Sequence, residues 1–362
     1  MLYWRENKMA YNRTALMDYC TTALMAAGAS SKEAGQVAWV LTSADERGVH
    51  SHGVVRMQGY ILCLQSGGIK GYASYQVISD GAAYALIDAG QGLGIPVSVF
   101  ATELSIQKAR SAGVAVVNVR NSHHHGACGY YSIQIAKQGF IGLAMSTGDI
   151  IMAAAGTAED SIGNNPFSYA VPAGKHGTIC YDIAMSTVAM GKVAMAADEG
   201  REIPLGWMLD RNGNPTTDPW SYTNGGTMVP FGGYKGSGLA VMVESLAGIL
   251  SGAALLKDIR AWNKDPAHGG DVGHCFIAID PKHINPGFDI STRAAEMIDQ
   301  LRAHRRAPGV DRVYFPGEIE QERETKSRLG GIELPPASER ALEYVSQLTG
   351  VAFIREQLQT GK

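Results

Sequence analysis

The fold turns on Tyr84-Ala85-Leu86-Ile87-Asp88-Ala89-Gly90-Gln91-Gly92-Leu93-Gly94. Residues 84–88 read as a strand, the glycines follow, and a helix is expected over about 97–112. A strand, a glycine cluster and a helix invite comparison with the dinucleotide fingerprint G-x-G-x-x-G. The spacing here is G-x-G-x-G, and no acidic residue ends a second strand about 20 residues later, where the fingerprint needs one. The same glycines serve a tight strand-to-helix turn with no ligand at all. No G-x-x-x-x-G-K-(S or T) phosphate loop occurs either. A Rossmann domain is therefore not expected.

On the N-terminal side of this segment the pattern is helical. Leu16, Met17, Cys20, Ala23, Leu24 and Ala27 recur at helical spacing, with Gly28 where a helix stops. Ser30 followed by Glu33 reads as a capping box opening a second helix, whose apolar face is Val37, Ala38, Val40, Leu41 and Ala44 and which ends near Gly48. On the C-terminal side, residues 114–119, 140–145, 167–171, 178–183 and 276–280 read as strands, with a helix over 130–137. Asn212-Gly213 marks a tight turn. After Gly232-Gly233 a long helix starts near Gly236. Its apolar run 239–256 carries Glu244 and several small residues, so it reads as buried rather than membrane-spanning. Residues 293–306 and 339–349 read as further helices. This order predicts an α+β (mixed) chain of interleaved parts. Residues 1–80 with about 285–362 form a helical domain, and 81–284 form a central α/β region with an inserted helix near 236–256.

Hydrophobic residues make up 45% of the chain and charged residues 18%, a globular composition with a sizeable core. The formal net charge is −3 with no block of like charge, so no electrostatic footprint for nucleic acid exists. Small anions would need locally placed basic groups. Cys20, Cys63, Cys128, Cys180 and Cys275 are scattered and form no C-x-x-C pair, which argues against a disulfide framework or zinc ribbon and for a reducing cytoplasm. Met1 to Lys8 mix charges early and lack the apolar core of a signal peptide.

Four segments carry chemistry. In Asp45-Glu46-Arg47-Gly48-Val49-His50-Ser51-His52-Gly53-Val54-Val55-Arg56-Met57-Gln58-Gly59-Tyr60, a helix running on from His52 would put His52, Arg56 and Tyr60 on one face. A guanidinium grips a carboxylate bidentately, and an imidazole exchanges a proton with oxygen on the adjacent carbon, a set suited to a 2-keto acid. An exposed polar helix face is the plain alternative. Asn121-Ser122-His123-His124-His125-Gly126-Ala127-Cys128-Gly129 lies between a strand and a helix, where ligands are handled. Its consecutive histidines diverge in most backbone conformations, so a metal site is not expected. Asp182 ends an apolar strand, a poor place for a carboxylate without a partner; a histidine would suit, and a helix N-cap is the alternative. Gly233-Tyr234-Lys235-Gly236 opens the long helix, where backbone N–H groups and Lys235 suit a phosphate.

Together these segments resemble the malate/L-lactate dehydrogenase family of the second type, which includes ureidoglycolate and sulfolactate dehydrogenases, diketogulonate reductase and piperideine-2-carboxylate reductase. The resemblance runs from about Leu16 to Gly317. It rests on R-G-(I or V)-x-S-H-G-x-x-R at Arg47 to Arg56, N-S-x-H-x-G at Asn121 to Gly126, G-x-N-P at Gly163 to Pro166, D-x-A-x-S at Asp182 to Ser186, P-T-T-D-P at Pro215 to Pro219, G-Y-K-G at Gly233 to Gly236 and P-G-E at Pro316 to Glu318. It implies a non-Rossmann nicotinamide-binding fold, with a largely antiparallel mixed sheet and flanking helical domains, acting as a homodimer with NAD or NADP. It also implies that His52 is the acid/base and Asp182 its orienting partner, with Arg56, Tyr60 and His124 around the substrate. Ser51, His124, Gly126, Gly129, Asn165, Asp182, Ser186 and Lys235 would face the cofactor. The stretch 147–153 departs from the family's proline-rich form, and His123 and His125 are unusual neighbours.

The implied reaction is hydride transfer between nicotinamide and a small 2-keto or 2-hydroxy acid, with reduction of a cyclic 2-imino acid as the alternative. Two rivals stand beside it: a metal-dependent hydrolase or lyase using His50, His52, His124 and Asp182, and a non-catalytic nucleotide binder.

Overall fold

Local chemistry sets the first helices. Asn12 caps α1 (Arg13–Ala26) by accepting from Ala15 N, and Gly28, at φ 105°, follows its end. Ser30 caps α2 (Ser31–Glu46): its Oγ accepts from Glu33 N and donates to Glu33 Oε2. The computed structural model describes residues 10–72, 74–353 and 355–358, so the reading of Met1 to Lys8 lies outside the described residues. Leu16, Cys20, Leu24, Val37 and Leu41 share one core with Met57 and Ile61 of α3 (Met57–Ser66). Ile332, Leu342 and Val345, from the far end of the chain, complete it.

The strands merge into one seven-stranded sheet. Its members are β1 (Gln76–Asp80), β2 (Tyr84–Asp88), β3 (Val114–Ser122), β4 (Ile141–Ser146), β5 (Phe167–Pro172), β6 (Thr178–Ile183) and β7 (Val272–Ile279). Their spatial order is β1-β2-β3-β7-β4-β5-β6. Only β2 and β3 run parallel, joined over α4 (Gly94–Ala112); every other neighbouring pair is antiparallel. This is the mixed, largely antiparallel sheet expected. It is not a parallel Rossmann sheet.

Central β7 begins four residues earlier than the sequence suggests, because Gly273 and His274 interrupt its apolar pattern. Both are there for close contact. A Cβ on Gly273 would fall 2.0 Å from Ala247 O. His274, fully buried, meets Ser146 Oγ of β4 and Ser122 Oγ of β3, each at 2.9 Å. One imidazole thereby ties three strand ends together.

Helix α5 (Cys128–Lys137) packs on the sheet, sending Ile133, Ile135 and Ala136 into its core clusters. Helix α6 (Met190–Asp198) shares a core with Met208 and Met228 of a second, five-stranded sheet. That sheet escapes sequence reading because its strands are two or three residues long, too short to show a period. Its one legible feature is the Asn212-Gly213 turn, with Gly213 at φ 82°, between Met208–Leu209 and Pro215–Thr216. The expected long helix forms as α7 (Tyr234–Val243), followed by a π-helical Glu244–Ile249. It is not buried all round, since Ile249 and Leu250 are 62% and 58% exposed. Among the described residues no helix is long and apolar enough to cross a membrane.

The glycine-rich turn after β2 has a packing explanation. A Cβ at Gly94 would fall 2.1 Å from His123 O and 2.6 Å from His124 O, so only glycine lets α4 start against that loop. Gly94→Ala should therefore destabilise the protein by ~2–4 kcal/mol, on the scale of other buried overpacking changes, and displace His124. Thermal unfolding measures this, and an unchanged midpoint would remove the explanation.

Candidate active site

Asp45 lies in the last turn of α2 and is 1% exposed. Its Oδ1 meets His50 Nδ1 at 2.8 Å, and its Oδ2 accepts from Val54 N at 2.7 Å. Gly53 rests on the carboxyl, where a Cβ would approach to 2.2 Å. Burial pushes the Asp45 pKa up, and these two hydrogen bonds pull against that rise. The result corrects one expectation. Instead of an unbroken helix from His52, the chain makes two single 3-10 turns, His50–His52 and Val54–Arg56, before α3 begins. Capture of the Val54 N–H by Asp45 is the reason.

His52, Arg56, Tyr60 and His124 nevertheless meet. The rings of His52 and His124 stack with centroids 5.6 Å apart. Nδ1 of His52 is 2.9 Å from Ser51 Oγ, and no described residue hydrogen-bonds to Nε2. Desolvation first, and the Arg56 charge second, push the His52 pKa down to about 3, so the imidazole is neutral near pH 7. Arg56 spends Nε on Ser51 O at 2.6 Å and forms no ion pair among the described residues. Its guanidinium, itself desolvated, is left to pair with an incoming anion. Tyr60 is fully buried, and its OH lies 2.7 Å from His124 Nδ1 and 3.1 Å from His124 O. The sequence reading put Tyr60 beside the substrate; in the structure its hydroxyl meets His124. Gly126 N also approaches His124 Nδ1, at 3.4 Å. Burial, reinforced by Arg56 and His52, keeps His124 neutral.

Beside this cluster opens a cleft of about 1210 Å³, lined by Ser51, Gly129, Asp182, Gly191 and Lys192 among others. The expected His52–Asp182 pair is not formed among the described residues. Instead the Asp182 carboxylate accepts from Gly129 N at 2.8 Å. Helix α5 explains the preference: Ala127 at its N-cap carries no acceptor, and Asp182 reaches across to supply one to the first turn. The carboxyl is open to the cleft yet crowded by protein, and that desolvation pushes its pKa up to about 6, against Gly129 N–H and Arg47.

The cleft exceeds the few hundred to ~1,000 Å³ of ordinary small-molecule sites. It has room for a dinucleotide, with Lys192 and the N-terminal turn of α6 on its wall for a phosphate. Of the expected cofactor-facing set, Ser51, Gly129 and Asp182 line it. Asn165 does not, being fully buried and bonded to Gly148 N, Ala240 O and Glu244 Oε2. Ser186 is buried and donates to Val188 O; Gly126 is buried; Lys235 is exposed outside the cleft lining. His123 and His125 are buried in the core. Among the described residues no three His, Cys, Asp or Glu side chains are grouped to hold a metal.

Two neighbours were missed by sequence reading. Trp262 stacks on His124 with centroids 4.9 Å apart and lies 5.3 Å from Tyr60. The available signal was Gly59, where a Cβ would fall 2.2 Å from Trp262 Cζ3. Asp149 lies within electrostatic reach of Arg56. Its signal was the odd stretch 147–153.

The chain is similar to known proteins along most of its length. The sequence model described as malate/L-lactate dehydrogenase matches residues 11–343. The chain is 35% identical to malate dehydrogenase of Pyrococcus horikoshii over 323 residues, 87% of this chain and 89% of that protein. It is 32% identical to ureidoglycolate dehydrogenase (NAD(+)) of Escherichia coli K12 over 326 residues, 90% of this chain and 93% of that one. The crystal structure of delta1-piperideine-2-carboxylate reductase from Pseudomonas syringae superposes with a TM-score of 0.84 at 34% identity, covering 93% of this chain and 99% of the other. The chain belongs to the malate/L-lactate dehydrogenase family.

Proposed function

We propose that this oxidoreductase transfers a hydride between NAD or NADP and C2 of a small 2-keto or 2-hydroxy carboxylic acid. The observation that carries the reading is a desolvated, unpaired Arg56 beside a neutral His52 whose Nδ1 is held by Ser51. When bound, the nicotinamide gives or takes the hydride at its C4. The chain supplies the rest. Arg56 holds the substrate carboxylate as a bidentate fork. His52 Nε2 exchanges the proton of the C2 oxygen, with the His124 ring stacked beside it. Rotation of the Ser51 hydroxyl lets it donate to or accept from Nδ1, so His52 can be presented as base or as acid. A 2-imino acid fits the same frame, with nitrogen in place of the oxygen. Ser51, Gly129, Asp182 and Lys192 would hold the cofactor along the cleft. Five free, buried thiols suit a reducing cytoplasm.

We also propose a homodimer, supported by exposed apolar side chains along residues 239–250, Leu239, Val241, Ile249 and Leu250. Leu250→Glu should shift the protein toward monomer in size-exclusion chromatography with light scattering; an unchanged mass excludes this face.

His52→Gln should lower turnover about 10²–10⁴-fold, the usual worth of general acid/base catalysis, while NADH titrations by fluorescence remain as in the wild type. Undiminished turnover at saturating substrate would take His52 out of the mechanism. Arg56→Gln should raise the His52 pKa, because it removes a neighbouring positive charge while burial stays. Ring-proton NMR titration of the substrate-free protein reads this directly, and an unmoved pKa would uncouple the two groups.

A further inference from the structure

Residues 260–270 belong to no helix or strand, and the loop they make starts and ends in one place. A Cβ on Gly270 would lie 3.4 Å from Arg260 O. Compact surface loops with adjoining ends are frequently functional. This one is laid across α3 and the turn after it, and glycines leave room for it. A Cβ on Gly59 would fall 2.2 Å from Trp262 Cζ3, and one on Gly68 would fall 2.3 Å from Pro266 O. Cys63 Sγ donates to Trp262 O at 3.5 Å. Just past the loop, Asp271 Oδ1 accepts from Asn121 N at 2.7 Å, where the segment carrying His124 begins. Trp262 is the ring this loop brings to the site. Its indole stacks on His124 at 4.9 Å and 15°, and His124 in turn stacks on His52 at 5.6 Å and 17°. Tyr60 closes the group, 5.3 Å from Trp262 and with its OH on His124 Nδ1. One hydrogen bond fixes a point on the imidazole; a stacked ring fixes its plane.

We propose that Trp262 is a positioning residue for the reaction, holding the His124 ring parallel to His52 and shielding that pair from water. The inference rests on the dehydrogenase reading above and deepens it. Trp262 acts through His124, the ring shared by both stacking contacts. Gly59 and Asp271 serve the same end, one by leaving space for the indole, the other by tying the loop to the His124 segment. Loss of the indole frees the imidazole to tilt and admits water beside it. Misplacement of a group at the reacting centre by about 1 Å costs turnover on the order of 10²-fold. Arg56 has its own hold on Ser51 O, so its grip on a carboxylate survives the change.

The test uses pyruvate, oxaloacetate or delta1-piperideine-2-carboxylate, whichever the wild type turns over. Trp262→Ala should lower kcat about 10–100-fold, with KM for that acid, and NADH affinity by calorimetry, close to wild type. Trp262→Phe, which keeps an aromatic face, should recover most of the loss. Gly59→Ala should lower kcat in the same direction, because its methyl group displaces the indole. A spectroscopic reading separates positioning from packing. In the substrate-free protein the His124 ring protons lie against the indole face and resonate upfield; in Trp262→Ala they should move downfield. Less burial should also carry the His124 pKa up toward its ordinary 6.5. The other charged and titratable groups facing it, Arg56, His52, Tyr60 and His274, are unchanged in the variant. Melting temperatures verify folding, and if Trp262→Ala is unstable, Gly59→Ala and Trp262→Phe carry the same readings. Wild-type turnover in folded Trp262→Ala, or His124 resonances and pKa that do not move, overturn the proposal. If no keto or imino acid is turned over, the dehydrogenase reading fails by itself, and the His124 resonances still decide whether Trp262 holds the ring.

Discussion

The Asp45 carboxylate receives the His50 imidazole and the Val54 N–H in a space left open by Gly53, and the turn carrying His52 and Arg56 is folded around that pair of bonds. Hydrogen bonds to a charged group contribute about 1.5–3 kcal/mol each, enough to override a continuous helix through residues 50–60. This divides the motif from Arg47 to Arg56 into two kinds of residue. Gly48, against the Arg323 side chain, together with His50 and Gly53, shapes the turn. Ser51, His52 and Arg56 are what the turn presents.

Desolvation is the common electrostatic theme of the site. It keeps His52, His124 and His274 neutral, and it makes the unpaired Arg56 costly until an anion arrives. The same neutrality has a consequence for stability. An unfolded histidine takes a proton below its ordinary value of 6.5, whereas His52 and His274 in the folded chain withhold it until about 3. The stability they allow is therefore lost as pH falls from 6.5 toward 3.

The sequence made the backbone of this picture legible where a residue type has one physical job. Ser30 with Glu33, Gly28 and Asn212-Gly213 each announced a cap, a stop and a turn that form. The absence of a true G-x-G-x-x-G excluded a parallel Rossmann sheet. What stayed hidden depends on contacts between distant segments. Asp182 reads as a partner for His52, but the uncapped first turn of α5 competes for it. Tyr60 reads as a substrate contact, but its hydroxyl is spent on His124. Asn165 reads as cofactor-facing, but it closes a buried network with Glu244. In each case the sequence points to a residue by its chemistry, while its partner in the structure is set by tertiary packing.

The reactive turn and the loop at 147–149 hang from separate anchors. Asp45, in α2, shapes the first; Asn165 and Glu244, between the large sheet and the π-helical turn, shape the second. β3, β4 and β7 end together, clasped by His274, so the His124 segment and the loop after β4 leave from neighbouring strand ends. Change in one anchor need not disturb the other. The turn that presents Ser51, His52 and Arg56 keeps its shape through Asp45, and the loop after β4 keeps its own through Asn165.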